Sequence, residues 1–99
     1  MKYNLTEKLR FDEDPVLVIR DTELTVKSDA EIVLKMLDVL ATKGEHAAAR
    51  EVIELLLSEK DRKKLAALRL KIRDYSAVVR AAVALATGND PEATEPAGE

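Results

Sequence analysis

One histidine, His46, stands alone in a chain of 99 residues that has no cysteine. Thiolate metal sites, cysteine nucleophiles and disulfide scaffolds are therefore excluded, and His46 has no H-x-x-x-H partner with which to hold zinc. It falls at the start of a predicted helix and reads as a surface or capping residue. Carboxylates come in pairs, Asp12/Asp14, Asp29/Glu31 and Glu51/Glu54. Paired-carboxylate catalysis needs a cleft that shifts one pKa; a chain this small shows no sign of one, and on composition the acids read as solvated faces. The glycines, Gly44, Gly88 and Gly98, stand too far apart to form a phosphate-cradling loop. No G-x-S-x-G or other nucleophile motif occurs. The expectation is a protein that is not an enzyme, with no catalytic residue, metal or cofactor.

Seven cations, Lys60, Arg62, Lys63, Lys64, Arg69, Lys71 and Arg73, lie against the single acid Asp61 between positions 60 and 73. With a helix to follow, this run invites a helix-turn-helix reading. The helix that would enter the groove carries Val and Ala, and lacks the Asn, Gln or Lys that read base edges. A solvated or protein-docking face fits the run better, and nucleic acid is not the expected partner. A small DNA-binding regulator acting through this run is kept as an alternative.

The elements that carry these residues follow from composition and periodicity. Hydrophobic residues make up 46% and aromatics only 3% of the chain, so the core is aliphatic and alanine-rich, which favours closely packed helices. No segment approaches about 18 uninterrupted apolar residues, and the first residues carry no apolar signal core, so an intracellular protein with no membrane partner is expected. The net charge of −3 is concentrated at one end: Asp90, Glu92, Glu95 and Glu99 follow Thr87 with no Lys or Arg, leaving the body near neutral.

Residues 1–14 read as an extended lead-in arm, since Pro15 disfavours helix at Asp14; Leu5, Leu9 and Phe11 could anchor it. Residues 15–87 read as one globular domain. V-L-V-I-R-D-T-E-L-T-V-K, at 16–27, reads as an antiparallel hairpin turning at Asp21-Thr22. A two-residue turn there sets Ile19 opposite Leu24 and Leu17 opposite Val26, with all four on one face. Helices are predicted over about 29–43, 45–58, 61–70 and 72–87. Ser28 and Glu31 supply a capping box for the first, which closes on Lys43 and Gly44. Residues 88–99 read as a disordered acidic tail. The order is ββ then αααα: an α+β fold, mostly α, with a small N-terminal hairpin followed by four short helices.

The last helix is the most apolar. At 100° per residue, Tyr75, Val78, Val79, Ala82, Val83, Leu85 and Ala86 fill an arc of about 160°, wider than the roughly 100° of an ordinary surface helix. Ala77, Ala81 and Ala84 flank that arc, bordered by Arg73 and Arg80. This strip reads either as a docking surface for another copy or a client helix, or as packing against the hairpin inside the monomer. Small side chains allow close backbone approach in both cases.

The layout resembles the small tail assembly chaperones of long-tailed (siphovirus-type) bacteriophages and prophages. The matching residues are Asp29-Ala30-Glu31, Val33-Leu34-Lys35 and Leu40 in the first helix. The ending matches at Asp74-Tyr75, Val78, Ala81 or Ala82, Leu85-Ala86, Gly88 and Asp90-Pro91-Glu92. Lys71 departs from the pattern, where Ser or Asp would cap the helix. The resemblance covers about residues 15–92. It implies a non-catalytic factor in the bacterial host cytoplasm that binds the tape-measure protein, recruits major tail protein and is absent from the mature virion. A homo-oligomer is an accompanying expectation, as is a longer frameshifted form. A helical protein-interaction adaptor in another pathway is the alternative.

Overall fold

The computed structural model describes residues 1–9 and 12–89. A short 3-10 turn at Thr6–Lys8 is followed by strands β1 (Val16–Ile19) and β2 (Thr22–Thr25). Helices α1 (Ala30–Thr42), α2 (Glu45–Leu56), α3 (Glu59–Ala67) and α4 (Ile72–Ala86) complete the order. The fold is α+β and mostly α, one hairpin ahead of four helices. Leu24 and Val26 of the hairpin join Met36, Ala48, Val52, Ile53, Leu56, Leu57, Leu65, Val78, Val79, Ala82 and Ala86 in a single core. In the lead-in arm Leu5 and Leu9 are exposed and neither joins the core. Phe11, and the tail from position 90 onward, lie outside the described residues.

The hairpin pairs Val16 with Thr25, Leu17 with Leu24, Val18 with Glu23 and Ile19 with Thr22. This register is two residues from the predicted one. The turn falls at Arg20-Asp21, with Arg20 at φ 55°. A turn at Asp21-Thr22 would push β-branched Thr22 toward positive φ, which it disfavours more strongly than an unbranched arginine does. A slip of two preserves every side chain's face. Leu17, Ile19, Leu24 and Val26 therefore still share the inner side, with Leu24 and Val26 fully buried, while Val16 and Val18 point outward and stay exposed.

Helix α3 lies along the outer edge of β2. Asp61 accepts the Thr25 N–H through Oδ2 at 2.9 Å. Lys64 Nζ donates to the Glu23 carbonyl at 3.3 Å and sits 3.5 Å from Asp61 Oδ1. Asp61 is the one buried charged residue among those described. A carboxylate and an ammonium thus satisfy an edge that would otherwise face water or another strand. The Lys27 N–H, which donates to the Leu56 carbonyl at 2.8 Å, ties the end of the hairpin to the end of α2.

Several helix ends differ from expectation, and each has a local cause. Ser28 does not cap α1: its hydroxyl and N–H both go to Asp14 Oδ1, at 2.8 and 3.3 Å, and Asp29 becomes the N-cap residue. Gly44 is extended and starts α2 rather than closing α1, while Lys43 pairs with Glu51. Helix α2 stops at Leu56, because Ser58 turns out to be the N-cap of α3, its Oγ accepting the Asp61 N–H at 3.2 Å. Helix α3 therefore begins at Glu59, two residues early, and ends at Ala67 instead of running to 70. Arg69, at φ 53°, reverses the chain there without a glycine. Lys71 is the N-cap of α4 and makes no side-chain cap bond. The far end of α4 closes as predicted. Gly88, at φ 83°, donates to the Leu85 carbonyl and Asn89 donates to the Ala84 carbonyl, the paired bonds of a Schellman motif.

Candidate functional site

Helix α2 is central, with α1 and α4 both packing on it and barely touching each other. A helix flanked by two others that make little contact with each other leaves a trough along its exposed side. That trough is an open groove of about 380 Å³ lined by Leu40 of α1, Ala49 of α2, and Ser76, Val79, Arg80, Val83, Ala84, Thr87 and Asn89 of α4 and its C-terminal turn. Its surface is mostly apolar, from Leu40, Ala49, Val79, Val83 and Ala84, with Ser76, Arg80, Thr87 and Asn89 as its polar members. Its lining includes one cation, Arg80, and no acid.

The periodicity of α4 explains how one helix serves both core and groove. Val78, Val79, Ala82 and Ala86 are buried in the core. Ser76, Arg80, Val83 and Thr87 recur at three- and four-residue steps along a neighbouring stripe and present the groove face. The Thr87 hydroxyl is taken by the Val83 and Ala84 carbonyls, each at 3.0 Å, which keeps the mouth of the groove from opening onto bare helix-end carbonyls.

The predicted alanine strip is not one surface. Arg73, Ala77 and Arg80 are exposed, Ala81 is half-buried and Ala84 is buried. Arg80 and Ala84 line the groove; Arg73, Ala77 and Ala81 do not. The alternative, that the strip packs on the hairpin, is not what is observed, since the principal contact of α4 is with α2. The groove residues Leu40, Ala49, Val79 and Val83 were passed over because on sequence they are indistinguishable from core. Their signal was the excess width of the apolar arc, more than one neighbouring helix could cover.

Elsewhere the titratable groups are dispersed. Tyr75 is half-buried, and its burial pushes the phenol above its ordinary pKa of 10.0, with Arg50 opposing and Glu54 adding to the shift. Among the described residues no three His, Asp or Glu side chains converge to hold a metal ion, and His46 is exposed. The cations of α3 are interleaved with acids: Arg62 lies 3.8 Å from Glu54, Lys63 3.6 Å from Glu59 and Lys64 3.5 Å from Asp61. No helix among the described residues is long and apolar enough to cross a membrane. No protein-family model, curated protein or solved structure matches the chain.

Proposed function

We propose that this chain is a non-catalytic assembly factor of the phage or prophage tail chaperone kind, which binds the tape-measure protein and recruits major tail protein in the host cytoplasm. The observation that carries the reading is the open, mostly apolar trough lined by Leu40 of α1, Ala49 of α2 and one face of α4. A trough of this form suits the apolar stripe of an amphipathic helix, with i, i+3, i+4 and i+7 anchors lying along it. A chaperone for a long helical protein needs to cover apolar stripes repeatedly without folding around each one, and a shallow, preformed groove does that at modest affinity. The sequence resemblance supplies the client's identity.

The test is the gene neighbourhood, followed by co-expression with the tape-measure protein that this reading expects there. Recovery of a complex that Val83→Glu abolishes, with the helical circular dichroism of the chain unchanged, supports the reading. A chain that leaves the tape-measure protein insoluble and unbound, or a genome neighbourhood with neither a major tail protein nor a tape-measure gene, overturns it. A complex with an unrelated helical partner through the same groove would instead establish the general adaptor.

A further inference from the structure

Among the described residues strand β1 leaves one edge open, and the residues along it are complementary to themselves. The hydrogen bonds around the hairpin fix which way each peptide points. Val26 N–H reaches inward to the Pro15 carbonyl at 2.8 Å, whereas Thr25 N–H points outward to Asp61. In an antiparallel ladder this direction alternates residue by residue. With Thr25 opposite Val16 and Glu23 opposite Val18, positions 15, 17 and 19 turn their polar groups toward β2, and Val16 and Val18 turn theirs away. Pro15, which has no N–H to offer, falls on the inward set, so the outward row is unbroken. The side chains of Val16 and Val18 are also open, the residues being 47% and 60% exposed.

We propose that β1 pairs edge to edge with β1 of a second copy of this chain, antiparallel about a two-fold axis through Leu17, to make a four-stranded sheet. Val16 and Val18 exchange N–H···O=C bonds with Val18 and Val16 of the second copy. Their side chains meet as a patch of valines on the outer face. The flanking charges select this arrangement. Asp14 precedes the strand and Arg20 opens the turn at its other end, so in the antiparallel pair the end that carries Asp14 lies beside the turn that carries Arg20 of the second copy. Parallel pairing would set like charges side by side. Asp14 is held in place by its two bonds from Ser28, and the long Arg20 side chain spans the remaining distance.

A sheet of two strands is short of the usual number, and pairing doubles it. An apolar edge with its backbone groups turned outward is the standard template for strand addition. A second copy is favoured over an unrelated extended peptide because the strand's own sequence, read in reverse, supplies the matching charges. The proposal is independent of the client-helix reading, since no residue of β1 lines the groove.

The test is sedimentation equilibrium of the full chain from about 1 μM to 1 mM, a span that covers dissociation constants typical of weak to moderate association. Amide hydrogen exchange is followed at the same concentrations. A reversible dimer is expected, with Val16 and Val18 amides gaining protection as concentration rises. Val18→Pro removes an outward N–H without touching the inward ladder and is expected to weaken the dimer at least about tenfold. Arg20→Asp and Asp14→Lys are each expected to be monomeric alone and to form a heterodimer when mixed, because the mixture restores both unlike pairs. A chain monomeric to about 1 mM overturns the proposal. So does a dimer that Val18→Pro and Arg20→Asp leave intact, or one in which the Val16 and Val18 amides exchange at a rate independent of concentration. Should Val18→Pro fail to fold, the exchange data and the charge swap decide.

Discussion

The two edges of the hairpin are treated in opposite ways. Along β2, the outward N–H of Thr25 and the carbonyl of Glu23 are met by Asp61 and Lys64, so α3 supplies from side chains what a third strand would supply from its backbone. Along β1, Val16 and Val18 have no such cover among the described residues. The difference shows that strand edges can be closed by a single well-placed turn of helix. Ser58 caps that turn and thereby aims Asp61 at the strand. One edge is built into the monomer, and the other is left available.

Substitutions at the two edges should therefore differ in size. The largest effect is expected from Asp61→Ala, which strands the Thr25 N–H in a part-buried site and removes the acid beside Lys64. Urea denaturation should show a loss of about 1–3 kcal/mol, with the melting temperature falling roughly 4–8 °C per kcal/mol in a domain of this size. An unchanged midpoint would mean that β2 does not depend on α3. Asp61→Asn keeps a carbonyl acceptor while dropping the charge, so it should recover more than half of that loss; if it is as damaging as Ala, the charge and not the hydrogen bond is what matters. Lys64→Met should cost less than about 1 kcal/mol, because its side chain is 42% exposed and both its contacts exceed 3 Å. The smallest effect belongs to the open edge. At concentrations where the chain is monomeric, Val18→Thr should stay within about 0.5 kcal/mol of the parent. A larger loss would reveal cover on β1 and erase the contrast.

Much of this architecture was legible from residue order. The change from period 2 to period 3.6 after Lys27 separated hairpin from helices, and Gly88 marked the end of α4. The strand faces survived a wrong turn because a two-residue slip cannot exchange them. What was hidden were the places where one residue had two plausible duties. Ser28 looked like a cap and was taken by Asp14; Ser58 looked like the fraying end of one helix and was the cap of the next. Arg20 and Arg69 adopt positive φ at positions where the sequence displays no Gly or Asn. The groove was hidden for a related reason. Val79, Val83 and Leu40 have the character of core residues, and only the arrangement of α1 and α4 about α2 leaves part of them uncovered.

The pin between Thr25 and Asp61 spans 36 residues, and this has a consequence for synthesis. At about 5–20 residues per second, translation leaves roughly 2–7 seconds between the making of the hairpin and the making of its clasp. During that interval both strand edges are bare, on a segment whose loop closure alone cannot hold it. The hairpin is thus made well before the helix that secures its β2 edge. A nascent chain stopped before Asp61 should accordingly show hairpin amides that exchange freely, and the same chain extended through α3 should show the inward ladder protected.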